Sequence, residues 1–221
     1  AEWEPVTPTG WLVHDTLSAR LSPRMAIDSL VAGLTAQGAE LILGEAEDTG
    51  AVIHATGIAG LADLSQAFAA PLGSGVKGQA LSLRHDARDQ PQLFVDGLHI
   101  VPHADGTVAI GSTSETTWTH DDPDAQLDAL HAKAIAAVPA LAAAEITARW
   151  AGIRPKATTR APVLGAWPGR PGHFIANGGF KIGFGMAPKV AEVMADLVLD
   201  GRDTIPPDFS VETLLQKTAR R

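Results

Sequence analysis

The 221-residue sequence contains no cysteine and no tyrosine. The absence of thiols excludes disulfides, thiolate metal sites and cysteine nucleophiles. No apolar run approaches the roughly 18 residues that a membrane-crossing helix needs, and the opening AEWEPVTPTGW has neither the basic nor the hydrophobic region of a signal peptide. Membrane insertion is therefore not expected, and the cytoplasm is the expected location. Basic charge is scarce: 17 Lys and Arg stand against 25 Asp and Glu, for a formal net charge of -8. That balance disfavours a general nucleic-acid binder, whose phosphate affinity needs clustered cations. No G-x-S-x-G elbow is present, which removes the serine hydrolases that need one. No H-x-x-x-H pair on a helix and no carboxylate cluster with ligand spacing occurs, so no metal site is expected. The chain opens on Ala1 instead of Met, as expected of a piece of a longer protein.

What is there is globular. With 45% hydrophobic and 19% charged residues the chain can bury a sizeable core, as one large domain or two small ones. Ser22-Pro23 reads as an N-cap followed by a first-turn proline, and Ile27, Leu30, Val31 and Leu34 then share one helical face up to Gly38. AELILG at 39–44 reads as the strand after that helix, and GAVIHATGIAG at 50–60 as a buried strand that breaks at Gly57. In LFVDGLHIVPHADGTVAIGST, two alternating strands flank the Asp105-Gly106 turn. Asp122-Pro123-Asp124 starts a helix that stops near Pro139, and EITARWAGIRP returns as a strand. The closing strand HFIAN leads through a glycine loop to a helix expected from near Pro188 to Gly201, with Val190, Val193, Met194, Leu197 and Val198 on one face.

Four places carry candidate chemistry. Gly73, Gly75 and Gly78 match G-x-G-x-x-G, but a dinucleotide fingerprint needs a strand before it and a helix after it. Here LADLSQAFAAP precedes and QALSLR, a short strand by its pattern, follows, so the match reads as accidental. NGGFKIGFGMAP places Gly178, Gly179, Gly183 and Gly185 just before a helix, where the backbone can approach a ligand closely and free N–H groups can stabilise negative charge. Arg154 in WAGIRP stands at a strand end, where a guanidinium can fork two hydrogen bonds to a carboxylate or form an ordinary salt bridge. His54 lies in an apolar run and reads as a core histidine, whereas His99 on the hairpin is a candidate pocket residue.

In order, VIHATG, GVKGQALSL, HIVPHADGTVAIGST, RWAGIRPKATTRAPVLG and FIANGGFKIGFGMAPKVAEVMADLVLDG resemble the C-terminal part of the D-amino acid oxidase and glycine oxidase family of FAD-dependent oxidoreductases. The resemblance runs from about residue 20 to residue 202. It implies an α+β fold: α/β-like remnants of a FAD-binding domain plus a substrate domain built on an antiparallel sheet, with the N-terminal dinucleotide-binding part absent. Residues 1–49 and 73–160 would form the substrate-binding domain, and 50–72 with 161–221 the FAD-domain remnant. Ala55, Thr56 and Gly57 would end a strand beside the cofactor. Gly178, Gly179, Phe180, Lys181, Ile182 and Gly183 would lie against the flavin. Arg154 would clamp a substrate carboxylate, Lys181 would add positive charge nearby, and His99 would line the pocket. The family pattern often places tyrosine where this chain has His99 and arginine where it has Lys181, which leaves the exact substrate open.

The activity so implied is oxidation of the C–N bond of an amino acid or related amine by hydride transfer to FAD. The competing reading is a non-catalytic binding or assembly domain that keeps the fold. Because the pyrophosphate fingerprint is absent, this length of chain is not expected to retain FAD tightly or to act alone. The expected partner is a small amino acid or amine, with no nucleic acid. An apolar surface is expected near Val52, Ile53 and Ala55, which homodimerisation could cover.

Overall fold

A computed structural model describes residues 3–219. The helices are α1 (Pro23–Ala36), α2 (Gly57–Ala67), α3 (Ala125–Ala137), α4 (Gly183–Asp200) and α5 (Val211–Ala219). The strands are β1 (Val52–His54), β2 (Gly73–Arg84), β3 (Leu93–Val95), β4 (Leu98–Pro102), β5 (Thr107–Gly111), β6 (Glu145–Ala157), β7 (Val163–Ala166) and β8 (His173–Asn177). They fall into two compact units, residues 1–41 with 77–152 and residues 42–76 with 153–221. The fold is α+β.

The first unit is built on the sheet of order β3-β4-β5-β2-β6. Alternation along β2, β4 and β5 buries Leu81, Leu83, Leu98, Ile100, Val108 and Ile110, and α3 covers that face with Leu127, Ala134 and Ala137. Asp124 caps α3 by accepting the Gln126 N–H at 2.9 Å. Its carboxylate also joins a polar network around Lys77, a lysine with no exposed surface. Lys77 Nζ donates to the His120 carbonyl at 3.0 Å and to Asp124 at 3.1 Å, with Glu115 3.8 Å away. The Gln79 amide donates to both Glu115 and Asp124, at 3.0 and 2.9 Å. That bond first, then the Gln126 N–H and the lysine, hold the Asp124 carboxyl down at about 2.

The second unit is built on the sheet of order β1-β8-β7, parallel between β1 and β8 and antiparallel between β8 and β7. Leu61 and Leu64 of α2, Ile175 of β8, Val163 of β7 and Val211 and Leu214 of α5 form one core cluster. Val193 and Met194 of α4 pack with Leu164 in another. α4 ends on Gly201, whose φ of 65° is the left-handed cap that glycine supplies.

Several expectations need correction. Residues 39–44 form no strand: Leu41, Ile42 and Leu43 are 65%, 53% and 91% exposed. Apolar β-type residues become a strand only when a neighbour offers a ladder, and none among the described residues does. The run at 50–60 is strand only at Val52–His54, and Ile53 is 47% exposed because β1 is an edge. α1 has the predicted cap, with Ser22 Oγ accepting the Met25 N–H at 3.5 Å, and the predicted stripe, yet none of its residues is buried. A third strand, β3, precedes the hairpin through an unread Asp96-Gly97 turn, with φ of 47° and 79°.

α4 starts at Gly183, five residues before the expected Pro188, which lies inside it. Proline's φ is helical, and in this second turn it costs one i to i-4 bond, which the remaining helix outweighs. QALSLR is the far end of the twelve-residue β2, which holds all three glycines of the apparent fingerprint. Gly73 is glycine for packing: a Cβ there would stand 2.4 Å from Leu61 Cδ2 and 2.6 Å from the Lys156 carbonyl oxygen.

Candidate functional site

Because β1 and β8 run parallel and adjacent, the turns that follow them emerge at the same end of the sheet. The carboxyl ends of parallel strands are where open α/β sheets bind ligands. After β1, the chain passes through Ala55 and Thr56 into α2, with Gly57 at φ 60°. After β8 it passes through Gly178 at φ 73° and Gly179 into α4. Left-handed φ at both turns demands glycine, which also leaves the backbone bare. Neither helix start receives a side-chain cap. Asn177 joins the turns: its Nδ2 donates to the Gly57 carbonyl at 2.9 Å and its Oδ1 accepts the Gly178 N–H at 2.7 Å.

A groove of about 620 Å³ opens over these turns. Its apolar lining comes from Ile53, Leu164 and the α4 residues Met186, Val190 and Met194, and Ala55, Gly57, Gly178 and Gly179 line it as well. Pro155 of β6 contributes as well. β6 is fixed to the glycine loop by a Lys156–Gly179 bridge and by the Phe180 N–H, which donates to the Pro155 carbonyl at 3.2 Å.

Of the residues singled out from sequence, Ala55, Gly57, Gly178, Gly179 and Gly183 line the groove. Thr56 is the N-cap residue of α2 and Ile182 that of α4. Phe180 has φ 44°, and exposed Lys181 holds its ammonium 5.7 Å from that ring. Arg154 is half-buried in β6, one residue before the groove-lining Pro155, and belongs to the second unit. His99 belongs to the first unit, where it is exposed on β4 with its ring 4.7 Å from that of Phe94.

His54 is a partly buried histidine and not a core one: its Nε2 lies 3.0 Å from Nδ1 of His173. Arg170 donates at 2.8 Å to Asp48, which stands 3.9 Å from His173. Burial first, then the Arg170 charge and His173, push the His54 pKa below its ordinary value, with Asp48 opposing. No group of three or more metal-ligating side chains assembles among the described residues, and no described helix is long and apolar enough to cross a membrane. Sequence reasoning missed Asn177 and Pro155. The Asn177-Gly178 dipeptide, a turn signal, was the available clue to the first.

Comparison with known proteins decides the family. The model of the FAD dependent oxidoreductase family matches residues 1–197. The chain belongs to that family. Glycine oxidase of Pseudomonas putida is 31% identical over 134 residues, covering 60% of this chain and 37% of the relative. Glycine oxidase of Pseudomonas aeruginosa is 33% identical over 132 residues, 59% of this chain and 36% of the relative. The chain thus spans little more than a third of the length of these relatives. The crystal structure of glycine oxidase from Geobacillus kaustophilus superimposes with a TM-score of 0.63 at 31% identity, over 73% of this chain and 45% of that one. Iminodiacetate oxidase from Chelativorans sp. shares the fold at 22% identity, with a TM-score of 0.65 over 76% of this chain and 47% of that one.

The groove suits the ring end of the family's cofactor. Its size falls in the range of small-molecule sites, its walls are apolar, and bare glycine backbone and uncapped helix starts supply N–H donors. A Cβ on Gly57 or Gly183 would meet nothing within 4 Å, so at both positions the backbone faces open space.

Proposed function

We propose that this chain is the substrate-binding and flavin-contacting portion of an enzyme that oxidises the C–N bond of an amino acid or related amine. In this reading the first unit is the core of the substrate domain, and the second holds the remnant of the FAD-binding domain. One observation carries the reading most. The strand bearing Arg154 is hydrogen-bonded to the glycine loop through Pro155 and Lys156, which ties the backbone that carries the candidate clamp to the loop that lines the groove.

When bound, the flavin supplies hydride acceptance from the carbon that bears the amine. The residues of this chain contribute binding and orientation. Ile53, Leu164, Met186 and Val190 offer apolar faces to a planar ring and keep water from it. The turns at Gly57 and Gly178–Gly179 let backbone approach its edge. Arg154 orients the substrate by a forked pair of hydrogen bonds to its carboxylate, a task for which a planar guanidinium is suited and an ammonium is not. Lys181 adds positive charge at the loop. Iminodiacetate and glycine, named for two of the structural neighbours, are both amines bearing a carboxylate, and that is the substrate class proposed here.

The test is steady-state kinetics of Arg154→Lys and Arg154→Ala in the flavin-loaded protein that carries this chain. Both variants are expected to lose about tenfold or more in kcat/KM on a carboxylate-bearing amine, since 1.4 kcal/mol is a factor of ten. An amine without the carboxylate should be almost indifferent. Equal losses on both kinds of amine, or none on either, would make Arg154 a structural residue.

A further inference from the structure

We infer that Asn177 is a positioning residue, which locks the two turns of the groove in register so that they present a single bed to a flavin ring. The inference rests on the flavin reading of the groove given above. Asn177 is 8% exposed and ends β8 at the groove itself. Its amide spends the acceptor on the Gly178 N–H and one donor on the Gly57 carbonyl, at 2.7 and 2.9 Å. The two turns are 120 residues apart in sequence.

The need for such a clasp follows from the glycines. Gly57 and Gly178 take left-handed φ, and glycine gives the backbone more freedom than any other residue. The turns are therefore free to approach a ligand and equally free to drift. A side chain that bonds both removes the drift without placing bulk in the groove. The surroundings are cut to receive it: a Cβ on Gly60 would come within 3.3 Å of Asn177 Nδ2, besides overlapping the Thr56 side chain. The chemistry also selects asparagine. Aspartate has the same shape and can still accept from Gly178, but it turns a second oxygen toward the Gly57 carbonyl where a donor is required. Asn177→Asp therefore breaks one arm of the clasp while keeping the packing.

The experiment uses the 221-residue chain, with riboflavin as the probe because it carries the ring without the pyrophosphate. Flavin fluorescence is titrated against the unaltered chain, Asn177→Asp and Asn177→Ala, and amide hydrogen exchange is followed without ligand. Both variants are expected to bind riboflavin about tenfold or more weakly. The Gly178 amide should lose protection in Asn177→Ala and keep it in Asn177→Asp, while the start of α2 loosens in both. Equal riboflavin affinity in all three chains overturns the positioning role even if the variants melt earlier, because a merely structural contact predicts that pattern. No riboflavin binding by the unaltered chain, with the exchange pattern as expected, overturns the flavin reading and leaves Asn177 a fold contact only.

Discussion

The two units handle their polar groups in opposite ways. In the first, a fully buried lysine lies in a network of two carboxylates, the Gln79 amide and a carbonyl, in a unit whose sheet is covered on its inner face by α3. In the second, the sheet ends at β1 as an edge, two helices begin without side-chain caps, and an apolar groove stands over bare glycine backbone. A satisfied network gives rigidity and leaves nothing for a ligand to do. Open donors beside apolar walls leave a great deal. In the reading proposed here, the Lys77 network is internal scaffold and the groove of the second unit is the surface that meets the flavin.

The contrast can be broken most severely at Lys77. Lys77→Met leaves Glu115 and Asp124 facing each other without a cation, and a buried pair cut on one side costs about 3–5 kcal/mol. Chemical denaturation should show a loss of that order, confined by amide exchange to β2, β5 and α3. Next comes Gly73→Ala, where the added methyl meets a backbone carbonyl that cannot yield. Overpacking of this kind costs about 3 kcal/mol, read from the same denaturation curves.

Acid separates the units further. Asp124 titrates at about 2 in the fold against 3.8 in its ordinary state, so its contribution is complete above pH 3.8 and is lost as pH falls from there toward 2. The His54 pKa is lowered from 6.5, so its neutral form favours the fold above that value and its contribution declines as pH falls below it. Protection of the β1 and β8 amides against exchange should weaken as pH falls below 6.5, and His54→Asn should flatten that part of the profile. His103 in the first unit, lowered by burial, keeps its own decline in the variant. The smallest effect belongs to Gly183→Ala at the open start of α4. A Cβ there meets nothing, and replacing glycine within a helix gains about 0.5–1 kcal/mol, so the melting temperature should hold or rise slightly.

Local signals in the sequence carried much of this fold. Ser22-Pro23 before α1, Asp124 before α3 and Gly201 after α4 each act through their own neighbours, and each stands where its chemistry predicts. The glycines of both turns were legible for the same reason. Most of the failures are failures of partnership. Residues 39–44 have strand composition but find no strand among the described residues, and the stripe of α1 is buried against none of them. Lys77 finds Asp124 47 residues away, and Asn177 finds Gly57 120 residues away, distances over which periodicity says nothing. A proline inside α4 misled for a different reason: Pro188 stands in the second turn, where it removes one backbone bond but does not end the helix.

The central claim is that the groove over the two glycine turns receives the flavin ring. Hydrogen exchange of the 221-residue chain with and without saturating riboflavin tests it most directly, because it reports where the ring sits. The account predicts new protection at residues 55–58 and 178–191, with none along β2 to β5 or α3, and FAD protecting the same amides with affinity within a few-fold of riboflavin. Protection that falls instead on residues 77–152, or no protection at a concentration where riboflavin fluorescence is quenched, would contradict it.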